Sequence, residues 1–257
     1  MRARKRFGQN FLVDASVCQR IVDSLALKPS DRVVEIGPGH GALTELLAEQ
    51  VSAFTAVELD RDLVPMLKAR FSNLQVIQAD VLNLDLAELL GERDARLVGN
   101  LPYNISSPLL IALLPHARRL RDATFMLQRE MAARLVAEPS TKAWGRLGVQ
   151  VQLDFEVDWL LDVPPESFNP APKVDSAVVR LRPRPMEDVL DLSDRGVFGR
   201  LLTAAFNARR KTLRNALKSF ELDFDAVSVS PTQRPDATTL AEFVRLANAA
   251  SPRTLST

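Results

Sequence analysis

Four consecutive residues, Asn100-Leu101-Pro102-Tyr103, have the types and spacing to act on a planar aromatic amine such as that of adenine. The Asn100 side-chain oxygen and the main-chain carbonyl of Leu101 or Pro102 could accept both amine hydrogens, which would aim the nitrogen lone pair outward. Tyr103 could stack on the base, an interaction worth ~1–3 kcal/mol. Alone, the tetrapeptide could be an ordinary strand-to-helix turn. Directly after the fourth predicted strand of a ligand-binding sheet, it predicts methyl transfer to the exocyclic amine, a reaction that depends on positioning more than on a strong base.

A glycine-rich loop, Glu35-Ile-Gly37-Pro-Gly39-His-Gly41, lies between a predicted strand and a predicted helix. Such a loop lets the backbone approach a ligand closely, and we expect free main-chain amides to point at that ligand. The loop has the spacing G-x-G-x-G, whereas the fingerprint of dinucleotide-binding proteins, G-x-G-x-x-G, has its third glycine one residue further along the chain. The spacing therefore favours S-adenosylmethionine over a nicotinamide cofactor.

Two acidic residues follow the next two predicted strands. Glu58 closes the second strand about twenty residues after the loop, where an acid can bind ribose hydroxyls. Asp80 follows the third strand and could accept a hydrogen bond from the adenine amino group of a cofactor. Either acid alone could be a helix cap or a surface residue, but their positions in successive units favour a shared ligand site.

Two further side chains lie in the proline-rich segment and in the glycine loop. Phe168 lies in the proline-rich segment Pro164–Lys173 and could form the opposite wall of a pocket for a flipped-out base. A core phenylalanine is the alternative. His40 lies inside the glycine loop, and we expect it to face solvent without a chemical role.

The first two-thirds of the chain alternates short apolar runs with amphipathic segments, which predicts a mostly parallel Rossmann-like α/β sheet. A later pair of apolar runs, on either side of the proline-rich segment, predicts an antiparallel addition to that sheet. Helical segments are expected at Leu43–Gln50, Asp62–Phe71 and Pro108–Leu114. The successive strands are expected at Arg32–Ile36, Phe54–Val57, Val76–Ile77, Leu97–Gly99, Thr124–Leu127, Asp154–Val163 and Ala177–Leu181.

Two prolines in Arg182-Pro-Arg-Pro185 indicate a domain boundary, and the sequence beyond them is typical of helices. We expect a catalytic domain at 1–184, with a basic arm at 1–13, and a small all-helical domain at 185–257. One long helix near Val197–Phe220 would have an apolar face and a polar, mainly basic face. Phosphate contacts are expected from its basic residues, Arg209, Arg210, Lys211, Arg214 and Lys218.

The charge distribution is more informative than the net charge of +1. Residues 31–94 contain twelve acidic and five basic residues, whereas residues 200–218 contain six basic residues and no acidic one. The acidic segment suits a cationic small ligand, and the basic segment suits a polyanionic partner. Cys18 is the single cysteine, so no intrachain disulfide forms, and we expect no metal. The sequence has no apparent membrane segment or signal peptide, so we expect a cytoplasmic monomer.

These motifs resemble the ribosomal RNA adenine dimethyltransferase family. Besides the glycine loop, the resemblance covers nearly the whole chain through Arg6-Phe-Gly-Gln-Asn10-Phe-Leu12, Glu58-Leu-Asp-Arg61, Gly99–Ser106, Phe125-Met-Leu-Gln128, Pro172–Val178 and Phe206–Asn215. The family implies dimethylation of two adjacent adenosines in the 3′-terminal hairpin of small-subunit (16S) ribosomal RNA, within a subunit or its precursor. It also implies that S-adenosylmethionine is bound by Asn10, Leu12, Gly37, Gly39, Glu58, Asp80 and Asn100.

Three alternatives stay open at this point. A related family methylates one adenine of large-subunit RNA and confers macrolide resistance, but the segment Phe206–Asn215 and the proline-rich segment favour the small-subunit enzyme. A ribosome-assembly factor would need RNA binding more than chemistry. A nicotinamide oxidoreductase is disfavoured by the glycine spacing and by Asn100–Tyr103.

Overall fold

The computed structural model describes residues 10–252. Within that range, no helix is long and apolar enough to cross a membrane. The strands are β1 (Phe11–Leu12), β2 (Arg32–Ile36), β3 (Phe54–Glu58), β4 (Leu74–Gln78), β5 (Ala95–Asn100), β6 (Leu120–Gln128), β7 (Phe155–Val163), β8 (Phe168–Asn169), β9 (Ser176–Pro183), β10 (Phe220–Glu221) and β11 (Ser251–Pro252). The α-helices are α1 (Ala15–Leu25), α2 (Ala42–Gln50), α3 (Val64–Arg70), α4 (Leu86–Leu90), α5 (Tyr103–Leu113), α6 (Arg129–Leu135), α7 (Arg146–Asp154), α8 (Arg195–Asn207), α9 (Leu213–Ala216) and α10 (Leu240–Ala249). Short 3-10 helices lie at Val81–Asn83, Leu114–Arg119, Pro165–Ser167, Met186–Asp188 and Pro235–Ala237.

The main sheet has seven strands in the order β4-β3-β2-β5-β6-β9-β7. The first five pair in parallel, and β9 alone runs antiparallel to both of its neighbours. This confirms the predicted mostly parallel sheet with an antiparallel addition. The chain moves outward from β2 to β4 and then returns to β5 on the other side of β2. The carboxyl ends of β2 and β5 therefore flank the switch point of the topology, which is where such sheets bind ligands.

One apolar core packs helices α1, α2 and α3 against the sheet. It contains strand residues that are almost fully buried, among them Val33, Ala56 and Val98. Asp14 is the N-cap of helix α1, and its side chain accepts hydrogen bonds from the main-chain amides of Ser16 and Val17. That cap satisfies two of the amides that a helix start leaves without partners.

The contacts divide the chain into two compact units. The first comprises the described residues up to 132 together with Phe155–Pro183, and the second comprises Ala133–Asp154 with the described residues from 184 onward. The second unit is mainly helical, and it also contains the antiparallel pair β10–β11.

The predicted boundary after residue 184 is close to the observed division, but the placement of residues 133–154 in the first domain was wrong. These residues contact the C-terminal segment: the Trp144 indole donates to the Thr238 carbonyl, and Arg195 makes a bidentate contact with Asp154. The chain enters the second unit at residue 133 and returns to the first at residue 155, and no proline-rich or glycine-rich segment in the sequence marked these two points.

The long helix predicted near Val197–Phe220 is two helices, α8 and α9. The chain leaves the helical conformation at Ala208 and re-enters it after an extended Thr212. The first amides of α9 bond to a distant segment, Leu213 to the Gln233 carbonyl and Arg214 to the Pro231 carbonyl. Because this long-range pairing replaces the local helical pattern, hydrophobic periodicity alone could not reveal the break.

The predicted N-terminal arm is described only from Asn10, and residues 1–9 lie outside the described range. Its strand β1 pairs antiparallel with β8 in the proline-rich segment, with Leu12 opposite Phe168. This pairing places residues 10–12 next to the switch point.

Candidate active site

The glycine loop between β2 and α2 requires glycine at each of its three glycine positions. Gly37, Gly39 and Gly41 have φ angles of 67°, 58° and 88°, in the left-handed region that other residues avoid. A Cβ atom added to Gly39 would lie 3.1 Å from the Phe11 ring. The loop therefore depends on glycine both for its conformation and for its close contact with the arm.

The three glycine amides of this loop bond to the protein itself. Gly37 donates to the Val57 carbonyl at 2.9 Å and Gly41 to the Pro38 carbonyl at 2.9 Å, while Gly39 donates to Glu58 Oε2 at 3.0 Å. The expectation that these amides point freely at a ligand was wrong. The glycines instead keep the loop compact, so that a ligand can approach its backbone.

Glu58 lies at the end of β3 and connects the loop to the turn that follows. Besides Gly39, it accepts the main-chain amide of Asp60 on Oε1 at 2.8 Å. Burial raises the pKa of this carboxyl, and the two backbone hydrogen bonds oppose that shift. Each carboxylate oxygen retains a second lone pair, which could accept a ligand hydroxyl.

Asp80 is a helix cap that also lies at a cleft. Its side chain caps the 3-10 helix Val81–Asn83 by accepting the Leu82 amide at 3.0 Å. It also lines a cleft together with Glu58. A capping acid and a ligand-binding acid are therefore compatible at this position.

Asn100 ends β5, and the orientation of its side-chain amide is defined by a hydrogen bond. Nδ2 donates to the main-chain carbonyl of Asn10 at 3.1 Å. Since the donor atom has this partner in the arm, the acceptor Oδ1 is the atom that Asn100 can offer to a bound amine.

The rest of the tetrapeptide turns from β5 into α5. The Leu101 amide bonds to the Met126 carbonyl of the neighbouring strand, and Pro102 is the N-cap of α5. The Pro102 carbonyl accepts the Ile105 amide and the Ser106 hydroxyl, both at 3.1 Å. Of the two carbonyls proposed from the sequence, that of Pro102 is therefore occupied by its own helix, and that of Leu101 is the better candidate.

Two adjoining clefts lie at the carboxyl ends of the strands. One, of about 780 Å³, is lined by residues of the arm, the glycine loop and the tetrapeptide, together with Phe168. The other, of about 670 Å³, is lined by Leu59, Asp80 and neighbouring residues. Gly37, Glu58 and Pro102 line both clefts, so one ligand could extend from the first cleft into the second.

The residues along these clefts fit S-adenosylmethionine. Gly37 allows a close backbone approach, since a Cβ atom there would have open space apart from the Asn100 carbonyl at 4.0 Å. Glu35 and Glu58 are buried acids in the first cleft, and a bound cation would favour their charged forms. Asn10, Leu12, Gly39 and Asn100 meet at the same cleft, whereas Asp80 lies in the second.

Sequence reasoning assigned no role to Glu35. It lies within the apolar strand β2, is fully buried, and accepts the Thr44 hydroxyl at 2.8 Å. Burial raises its pKa to about 8, and the nearby Glu58 adds to the shift. An acid inside an otherwise apolar strand was the signal available in the sequence.

Phe168 and His40 both line the first cleft. Phe168 is also buried in the core, with 5% of its surface exposed, so a core position and a place in the cleft wall are compatible. His40 packs its ring on Phe11 with a centroid distance of 4.2 Å, so the expectation that it simply faces solvent was incomplete. Burial lowers the His40 pKa.

The basic residues predicted to contact RNA lie on and after the turn between α8 and α9. Arg210, Lys211, Arg214 and Lys218 are exposed. Arg209 differs because its guanidinium donates to the carbonyls of Thr141 and Lys142 and lies 3.6 Å from Asp236. Within the second unit, Arg209 therefore has a structural role that the sequence did not indicate.

Known proteins similar to this chain carry related descriptions. Residues 1–248 match the family described as ribosomal RNA adenine dimethylase. Relatives described as ribosomal RNA small subunit methyltransferase A include one from Cupriavidus metallidurans, 49% identical over 95% of this chain and 92% of the relative. Another, from Pseudomonas aeruginosa, is 50% identical over 96% of this chain and 94% of the relative.

Solved structures agree with the fold. A dimethyladenosine transferase from Plasmodium falciparum has a TM-score of 0.80 at 24% identity, covering 93% of this chain and 99% of that one. The 23S rRNA methyltransferase ErmE has a TM-score of 0.70 at 28% identity, with the same coverage. With a family model matching almost its entire length and relatives near 50% identity, the chain belongs to the ribosomal RNA adenine dimethylase family.

Proposed function

We propose that this protein uses S-adenosylmethionine to dimethylate the exocyclic amine of two adjacent adenosines in the 3′-terminal hairpin of small-subunit ribosomal RNA. The substrate we propose is a small subunit or its precursor, late in assembly. Family membership and the descriptions of the relatives near 50% identity support the reaction and the subunit. The resemblance of the C-terminal segment to the small-subunit enzymes supports this choice over large-subunit RNA.

The observation that carries the proposal is the orientation of the Asn100 amide. With Nδ2 bound to the Asn10 carbonyl, Oδ1 accepts one hydrogen of the target amine, and the Leu101 carbonyl accepts the other. Two acceptors on one amine draw its nitrogen away from planarity and expose its lone pair. Tyr103, which begins α5 and lines the first cleft, stacks on the base, and Phe168 closes the opposite wall.

The chain's contribution to the reaction is mainly positioning. S-adenosylmethionine supplies, when bound, a methyl group on a positively charged sulfur. Glu58 would hold the ribose hydroxyls of S-adenosylmethionine, and Asp80, which lines the second cleft, would accept a hydrogen bond from the adenine amine of the cofactor. Holding two reactants in line replaces a bimolecular encounter, which accounts for a large part of such rate enhancements. The methylated amine then releases its proton to water.

RNA binding is assigned to the exposed basic residues of the second unit. Arg210, Lys211, Arg214 and Lys218 offer charges for phosphate contacts, which orient a nucleic acid without reading its sequence. We omit Arg209 from this set because its guanidinium is bound to main-chain carbonyls.

The test is to incubate the protein with S-adenosylmethionine and small ribosomal subunits from cells that lack this modification. Nucleosides are then analysed by mass spectrometry, with large subunits and the Asn100→Ala variant as controls. Asn83→Ala serves as a matched control, because Asn83 is exposed and lines neither cleft.

We expect dimethyladenosine only in small-subunit RNA, its loss with Asn100→Ala, and its retention with Asn83→Ala. Methylation of large-subunit RNA instead would contradict the proposed substrate. Binding of small subunits without methylation would contradict the proposed reaction and favour an assembly factor.

A further inference from the structure

Two residues outside both clefts connect the arm to the proline-rich segment. The Ser167 hydroxyl donates to Asp14 Oδ2 at 3.2 Å. The Ser167 carbonyl also accepts the main-chain amides of Val13 and Asp14, at 2.9 and 3.3 Å. Ser167 is buried, with 1% of its surface exposed. We call these three hydrogen bonds, which join Ser167 to Val13 and Asp14, the clasp.

The clasp lies directly beside the only strand pairing of the arm in the described part of the chain. Leu12 is opposite Phe168 and Phe11 is opposite Asn169, so the clasp closes a two-stranded ladder only two residues long. Such a short ladder has little stability of its own. The clasp adds three hydrogen bonds directly beside this ladder and so contributes to fixing its position.

The position of the ladder determines the position of Asn10, which immediately precedes it. The Asn10 carbonyl accepts the Asn100 Nδ2 hydrogen bond, and this bond decides which atom of the Asn100 amide can face a substrate. Without it, the amide could rotate and present a donor where an acceptor is required. Phe168 is on the other strand of the same ladder.

We infer that Asp14 and Ser167 are positioning residues for methyl transfer. Through β1 and β8, the clasp holds the Asn10 carbonyl against the Asn100 amide and holds Phe168 at the cleft. Neither Asp14 nor Ser167 lines a cleft, so they act through these two contacts and not by touching substrate or cofactor. The consequence for catalysis rests on the proposed function, whereas the consequence for the Asn100 amide does not.

Asp14 allows a matched pair of variants, because it also caps α1. Its Oδ1 accepts the amides of Ser16 and Val17, a role that serine and asparagine fill equally well. Asp14→Asn keeps the cap, and its second side-chain atom still reaches the Ser167 hydroxyl. Asp14→Ser keeps the cap but is too short to reach Ser167. If Asp14 served only to cap α1, Asp14→Asn and Asp14→Ser would have the same Asn100 amide exchange and the same kcat.

The first measurement needs no RNA. In protein with ¹⁵N-labelled asparagine, the Asn100 side-chain amide is assigned by its loss in Asn100→Ala, and its hydrogen exchange is measured. We expect Ser167→Ala and Asp14→Ser to accelerate this exchange about tenfold or more, whereas Asp14→Asn leaves it within about twofold of the parent rate. Equal exchange in all four proteins would overturn the inference, whatever reaction the protein catalyses.

The second measurement is kcat on small subunits with saturating S-adenosylmethionine. We expect Ser167→Ala and Asp14→Ser each to lower kcat about tenfold, and the double variant to lower it no further, since both remove the same contact. Asp14→Asn retains parent kcat. Additive losses, or a loss confined to cofactor affinity, would overturn the inference, whereas an inactive parent protein would contradict only the proposed function.

Discussion

Glu58 and Gly39 are joined by a hydrogen bond of 3.0 Å between the Gly39 amide and Glu58 Oε2. The bond links the end of β3 to the loop that follows β2, across the first crossover of the sheet. The same carboxylate accepts the Asp60 amide at 2.8 Å. Glu58 therefore shapes the loop as well as offering lone pairs to a ligand, and the two roles are separable by substitution.

Glu58→Gln should lower both cofactor affinity and stability. The glutamine side chain has one acceptor, so either the Gly39 or the Asp60 amide faces an NH₂ group and loses its partner. Leaving a buried donor unsatisfied costs ~1–3 kcal/mol. We expect a free energy of unfolding lower by about that amount and cofactor binding at least about tenfold weaker by calorimetry. Glu49→Gln, an exposed substitution on α2, is the control. Unchanged affinity in Glu58→Gln would contradict the role in the cofactor site.

Gly39→Ala should damage the site through both conformation and contact. Its φ of 58° is strained for alanine, and the new Cβ would lie 3.1 Å from the Phe11 ring. A left-handed non-glycine residue costs ~1–3 kcal/mol, so we expect cofactor affinity to fall about tenfold or more. Adding Phe11→Leu should recover part of this loss, because it relieves the contact but not the strain. Gly199→Ala on α8, where a Cβ atom has no neighbour within 4 Å, should be neutral or stabilising. No recovery in the double variant would show that strain alone is responsible.

The Glu35 carboxyl should make stability depend on pH. Because burial raises its pKa from 4.5 to about 8, the folded protein holds this proton over a range where the unfolded chain has released it. The stabilisation is thus complete below pH 4.5 and is lost as the pH rises through about 8. Glu35→Gln retains an acceptor for the Thr44 hydroxyl and removes the titration. We expect the free energy of unfolding of the parent, minus that of the variant, to decrease across this range in urea denaturation. Parallel pH profiles would contradict a buried, protonated Glu35.

Arg209 and Arg210 are adjacent in sequence and should behave differently. Arg209→Ala removes two hydrogen bonds to main-chain carbonyls and should lower the free energy of unfolding by about 1 kcal/mol or more. Arg210 is exposed, and Arg210→Ala should leave stability unchanged while weakening RNA binding. The dependence of log affinity on log salt concentration should become shallower by roughly one unit for Arg210→Ala. Denaturation and filter binding at several salt concentrations test both expectations. If Arg209→Ala weakened RNA binding and Arg210→Ala lowered the free energy of unfolding, the phosphate contact would belong to Arg209.

Local patterns in the sequence were sufficient for the five parallel strands of the main sheet. Apolar runs separated by amphipathic segments predicted five strands that the structure contains, because parallel strands buried on both faces need continuous apolar residues. Glycine spacing and acids at strand ends indicated the cofactor site, and Asn100–Tyr103 indicated the reacting site. These signals are local, since each depends on a residue and its immediate neighbours in a strand or loop.

Tertiary structure decided what depends on partners distant in the chain. The Asn10 carbonyl that orients Asn100 is 90 positions away, the clasp joins Asp14 to a residue 153 positions on, and the glycine amides bond inside the protein. The break between α8 and α9 and the membership of residues 133–154 in the second unit likewise follow from long-range hydrogen bonds. The sequence by itself therefore determined the parallel strands of the sheet and the kinds of groups along the clefts. Only the folded chain decided which atom of each group faces the ligand, because hydrogen-bond partners are chosen in space and not by spacing.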